Sequence, residues 1–289
     1  QGAGPVRVDG RGSVEGERTL PEVATAQASL ELDALVLAAN GIIGTLDNDA
    51  GQAELPFLEA AELLESAHNR VLLPDSPHAL GATVALALCE LNAAEHLLTR
   101  ALEHDIGGRS LRMRHRLLLG WVAVRSGRWS AAEKVLSDAK GETLAPREQL
   151  LLAAIDAGLA RRAGDLARLS EAWRQAESAL LPYSVDLLSL VVLGELAIAA
   201  SRLGCWDQIS HKARELGNVL RTLGQPPLWV LPLRWTGLQV ALASDDHEAV
   251  ARRASEVAAV PPVHPRLQAL ADAAAQWVDV IAGEVAPAA

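Results

Sequence analysis

Asp156, Glu195 and Arg234 each interrupt a run that is otherwise almost wholly apolar, flanked by Ile155, Leu196 and Leu233. A charge in such a run must find a partner or line a wet cavity, because an unpaired buried charge is very costly. Asp156 and Glu195 have candidate partners in Arg162, Arg202 and Arg234, so structural ion pairs are one reading. Trp121, Trp229 and Trp235 lie near the same set. Flat aromatic faces beside carboxylates and guanidiniums suit a sugar, whose C–H faces stack while its hydroxyls bond in pairs. Plain core packing is the other reading for these three tryptophans, and Trp129, Trp173 and Trp206 hold packing positions at turns or on second helices.

A second set is defined by register. Arg125, Arg162 and Arg202 each stand two residues before a turn glycine, Gly127, Gly164 and Gly204, and Leu242 breaks the series in the next copy. Read functionally, they form a track of guanidiniums for carboxylates, phosphates or sugar hydroxyls, since each offers five fixed donors. Read structurally, each ends a helix, where a cation complements the dipole and the orphan carbonyls.

The elements that must position these residues come from a recurring turn. Gly127, Gly164, Gly204 and Ser244 are spaced by 37, 40 and 40 residues, and a copy near Cys89 lies 38 residues upstream of Gly127. Periods of this size mark stacked helical pairs, none of which buries its apolar face alone. Apolar periodicity predicts helices over 20–40 and 55–73, with Thr19 as N-cap, Pro21 just inside and a loop over 41–54 opened by Asn40-Gly41. First helices follow over 77–90, 109–126, 146–163, 184–203, 227–243 and 265–282. Second helices run over 92–104, 130–140, 165–180, 207–223 and 246–259, with Asn92, Ser130, Asp165, Asp207 and Asp245 as their N-caps. No strand alternation persists, so the fold class is all-α. Residues 1–18 form a disordered linker or chain end, 19–285 the helical repeat domain and 286–289 a tail.

Composition narrows the function. The net charge of −10 argues against direct nucleic-acid binding, which needs a basic surface. The two cysteines, Cys89 and Cys205, are far apart in sequence and suit a reducing compartment as free thiols. With no signal-peptide core and no membrane-spanning apolar run, the expected location is the cytoplasm, with no membrane partner. The eight histidines never fall into metal-ligand spacing, no cofactor motif occurs and no catalytic frame stands out, so neither an enzyme nor a metal site is expected.

Leu119-Gly120 with Ala132, Leu136 and Ala139 resembles a tetratricopeptide repeat, and Ala157, Trp173, Ala176, Gly237 and Ala249 keep parts of the pattern in later copies. The stretches HALGATVALALCELNAAEHLLTRAL, PREQLLLAAIDAGLARRAGD, VDLLSLVVLGELAIAASRLG and GQPPLWVLPLRW are similar to the sensor region of large LuxR-type regulators, actinobacterial members of the maltotriose-activator group. The resemblance covers roughly residues 20–285. It implies an α-solenoid of tetratricopeptide-like helix-turn-helix pairs wound as a right-handed superhelix, whose first helices line a concave groove. It also implies a parent chain with an ATPase module and a DNA-binding helix-turn-helix, neither of which this sequence carries; there is no G-x-x-x-x-G-K-[ST] string. The expected function is sensing of a small polar effector, sugar-like, through Trp121, Arg125, Asp156, Arg162, Glu195, Arg202, Trp229, Arg234 and Trp235. The alternative is a protein–protein scaffold whose groove takes a peptide or a partner helix.

Overall fold

The computed structural model describes residues 20–47, 53–67, 75–244, 246–261 and 263–283. Among them the regular structure is entirely helical. In chain order the helices are α1 (Leu20–Gly44), α2 (Leu55–Ala67), α3 (Pro77–Ala87), α4 (Leu91–Glu103), α5 (Gly108–Arg125), α6 (Trp129–Asp138) and α7 (Pro146–Ala163). After α8 (Leu166–Leu180) a short 3-10 turn (Leu187–Ser189) leads into α9 (Leu190–Arg202). The chain ends with α10 (Trp206–Thr222), α11 (Pro227–Ala243), α12 (His247–Ala258) and α13 (Pro265–Ala282).

Prolines start the first helices α3, α7, α11 and α13, where the missing N–H would have had no partner anyway. The turns to the second helices are set by one left-handed residue: Gly127 at φ 74°, Gly164 at 71° and Gly204 at 70°. Cys89 takes the same place before α4 at φ 62°, a conformation strained for a residue with a Cβ. Each second helix begins two residues after this position, so the turn itself fixes the start. Side-chain caps matter less than the sequence suggests. Asp165 accepts from the Arg168 N–H at 2.9 Å, but Asn92, Ser130 and Asp207 fall inside their helices. Asp246 caps α12 by accepting from the Ala249 N–H at 2.9 Å; Asp245, Thr19 and both chain ends lie outside the described residues.

Two further expectations give way. Asn40-Gly41 does not open a loop; both residues belong to α1. A Cβ on Gly41 would stand 2.8 Å from the Phe57 ring, so this glycine lets α1 and α2 approach closely. Trp129 is not core: it is 46% exposed, whereas Trp173 is buried.

Packing follows the repeat. Each first helix from α3 to α11 lies against its own second helix, and α3, α5, α7, α9 and α11 also lie in series against one another. Gly120 permits a close three-helix approach, since a Cβ there would meet Val135 of α6 at 2.9 Å and Ile155 of α7 at 3.1 Å. Ion pairs staple neighbouring units: Arg100 to Glu65 at 2.7 Å, Arg128 to Glu95 at 2.6 Å, Arg168 to Glu133 at 2.6 Å, and Arg114 to Glu148 at 2.6 Å. The partners in these pairs stand 33 to 35 residues apart, one structural unit along the array.

The array also closes on itself. α11 touches α3, the buried Trp229 indole donates to Thr45 Oγ1 at 3.0 Å, and Arg266 at the start of α13 reaches Glu90 at 2.6 Å. One apolar cluster therefore contains Ala34 and Phe57 from the beginning of the array and Trp229 and Leu267 from its end.

Candidate functional site

The closure creates a central chamber of about 200 Å³. Six first helices line it: α3 through Leu86 and Ala87, with Cys89 just beyond, α5 through Trp121 and Arg125, and α7 through Arg161 and Arg162. On the facing side stand Gly194, Glu195 and Ile198 of α9, Pro232, Trp235, Thr236 and Gln239 of α11, and Leu270 of α13. Five of the nine residues singled out from the sequence, Trp121, Arg125, Arg162, Glu195 and Trp235, meet here.

Glu195 is buried and anchors the polar side. Arg161 Nε donates to its Oε1 at 2.5 Å, Arg161 Nη2 to its Oε2 at 3.2 Å, and Arg162 Nη1 reaches Oε1 at 3.4 Å. Arg162 also donates to the Gly158 carbonyl at 2.9 Å. Burial pulls the Arg162 guanidinium below its usual pKa, and the nearby Arg161 and Arg125 act in the same direction against Glu195. At the rim, Arg125 donates to Cys89 Sγ at 3.4 Å. Among the described residues the chamber thus holds three guanidiniums and one carboxylate, an excess of positive charge inside a chain of net charge −10. The buried Trp121 indole N–H has no hydrogen-bond partner.

The other four residues lie elsewhere. Asp156 turns toward α8 and pairs with Arg168 Nε at 2.5 Å, where Arg168 also grips Glu133. Trp229 is fully buried at the closure. Arg202 is exposed at the end of α9, one turn beyond Ile198, outside the chamber. Arg234, one residue before Trp235, does not line the chamber and donates to the Glu256 carbonyl at 2.8 Å. The chamber does not follow the turn register, because it cuts α5 and α7 near their C-terminal ends but α9 and α11 near their middles. Sequence reasoning missed Arg161, the main partner of Glu195; its only signal was adjacency to Arg162.

Two other features escaped the sequence. A crevice of about 570 Å³ opens between α10 and the α11/α12 pair. Near the start of the array, Ser76 Oγ lies 2.7 Å from His115 Nε2. That pair is not built for nucleophilic catalysis. Both residues are fully buried, Ser76 Oγ already caps α3 by accepting from the Ala79 N–H, and His115 Nδ1 has no carboxylate behind it. It ties the start of α3 to α5.

Among the described residues, no group of three His, Cys, Asp or Glu side chains could hold a metal ion, and no helix is long and apolar enough to cross a membrane. In comparisons with known proteins, no family model, no curated protein and no solved structure matches this chain.

Proposed function

We propose that this chain is the effector-sensing region of a cytoplasmic, multidomain bacterial transcription regulator of the LuxR type, a tetratricopeptide-like solenoid wound as a right-handed superhelix. The effector is a small polar molecule, sugar-like and carrying an acidic group, held in the central chamber. The observation that carries this reading is that every first helix from α3 to α13 contributes to one chamber wall. A ligand there touches the whole series at once, so small differences in how neighbouring units stack become differences in ligand contact. Binding then favours one arrangement of the array by its difference in affinity between arrangements. That arrangement is passed to the ATPase and DNA-binding parts of the parent chain.

The chemistry follows from the walls. Arg125, Arg161 and Arg162 face a single carboxylate among the described residues, which favours an anion. Trp235, half-buried, presents a flat apolar surface for a sugar face. A volume of 200 Å³ equals that of roughly seven water molecules, which suits one sugar ring and excludes a helix. The scaffold alternative asks for an open Arg125–Arg162–Arg202 track, which gains no support from Arg202 lying outside.

The test is thermal unfolding with glucose 6-phosphate, gluconate and glucose, paired with alkylation of Cys89 by N-ethylmaleimide. An anionic sugar at 100 times its Kd adds about 2.7 kcal/mol of stability and shields Cys89, while Cys205, outside the chamber, keeps reacting. Trp235→Ala abolishes both effects with helicity retained. Glu195→Ala is the wrong probe, because it strands Arg161 and costs about 3–5 kcal/mol of stability by itself. If no anionic sugar raises the melting temperature or protects Cys89, the reading fails.

A further inference from the structure

The crevice beside α10 is distinct from the chamber in both shape and chemistry. α10 packs on α9 and on the 3-10 turn, and α11 packs on α9 and α12, but α10 and α11 make no substantial contact with each other. Elsewhere in the array each second helix meets the first helix that follows it. The gap has a volume of about 570 Å³ and apolar walls, among them Leu193 and Ala197 of α9, Ile209 and Leu216 of α10, and Val230 and Leu233 of α11. Cavities of this size and character hold small organic ligands.

The sequence also keeps the gap open. Gly217 lies within α10 on the crevice wall, and a Cβ there would have nothing within 4 Å. A glycine inside a helix is less favourable than alanine, and no close packing accounts for this one. Gly237 stands on the opposite wall.

The rim carries the charge. Arg214, Arg221, Arg234 and Arg253 border the crevice, with Glu256 as the sole carboxylate among the described residues. Glu256 is taken by Arg253 at 2.7 Å. Arg221 has only the neutral Asn218 Oδ1 at 3.0 Å, Arg234 only neutral acceptors, and Arg214 no ion-pair partner among the described residues. Three guanidiniums without a counter-charge thus surround an apolar slot in a chain of net charge −10. We infer that this crevice is a second ligand site, for a long-chain carboxylic acid whose aliphatic tail fills the slot and whose carboxylate is held by Arg214, Arg221 and Arg234. Tail burial supplies the affinity, and the arginines select an acid over an uncharged chain.

Titration calorimetry of the whole chain with dodecanoate and 1-dodecanol tests the assignment, beside sedimentation of the unliganded protein. Dodecanoate is expected to bind with one molecule per chain, at least tenfold more tightly than dodecanol. Gly217→Leu, whose Cβ meets open space on the crevice wall and whose side chain projects into the slot, abolishes binding while the melting temperature is kept or raised. Arg214→Gln combined with Arg221→Gln weakens dodecanoate at least tenfold and leaves dodecanol unchanged. Trp235→Ala in the chamber leaves dodecanoate binding intact, so the two sites stand or fall separately. The assignment is overturned if dodecanoate shows no saturable binding, if Gly217→Leu binds it as wild type does, or if dodecanol binds equally well. A dimer in sedimentation that Gly217→Leu dissociates also overturns it, since the slot is then filled by a second copy.

Discussion

His115 shows how a buried side chain writes itself into pH dependence. Burial pushes its pKa down from 6.5 to about 3, with His78 and Arg114 adding to the effect. The folded protein therefore keeps the ring neutral where the unfolded chain protonates it. Its contribution to stability is complete above pH 6.5 and is lost as the pH falls toward 3, by about 1.4 kcal/mol per pH unit. Urea titrations at pH 7, 6, 5 and 4 should show that slope in the wild type and a flatter one in His115→Gln, whose amide can still bond Ser76. An unchanged slope would assign the acid sensitivity to other groups. At this scale the sequence was only partly informative: it marked Glu195 as needing a partner but not which arginine would supply it.

Among the elements, the turns and the glycine contacts are where sequence and packing meet. Cys89 occupies the left-handed position that Gly127, Gly164 and Gly204 hold in later units. Cys89→Gly should raise stability by about 1 kcal/mol, and Gly164→Ala should lower it by a similar amount, both read from the denaturant midpoint. Two helix-interior glycines make the complementary case. Gly120→Ala drives a Cβ into Val135 and Ile155 and is expected to cost about 1–3 kcal/mol. Gly217→Ala meets open space and should gain about 1 kcal/mol. If both changes moved the melting temperature in the same direction, the packing of α5 against α6 and α7 would be wrong.

For the molecule as a whole, closure decides what the array can do. Thr45, fully buried, accepts the Trp229 indole N–H and donates to the Ile42 carbonyl at 2.6 Å. Thr45→Val leaves the indole donor buried without a partner, at a cost of about 1–3 kcal/mol. Because the contact joins residues 184 apart, the loss should broaden unfolding as well as lower its midpoint, as the ends uncouple. Calorimetry would reveal this as a van't Hoff enthalpy falling below the calorimetric one; a single transition that merely shifts would mean the ends are held by other contacts.

The sequence by itself determined the helices and their order. Apolar periodicity, N-terminal prolines and turn glycines are local signals, and they placed most boundaries of α3 to α13 within a few residues. It did not determine which side of a first helix faces the chamber. α7 and α9 are apolar on nearly every side, so their patterns carry no phase, and a one-residue offset swings a side chain through about 100°. Asp156 lies 8 residues before Gly164 and Glu195 lies 9 before Gly204. The first accordingly meets Arg168 of α8, and the second enters the chamber. The gap beside α10 and the contact between α3 and α11 also belong to the tertiary structure alone, because both arise from how the units stack, a property that no single repeat contains.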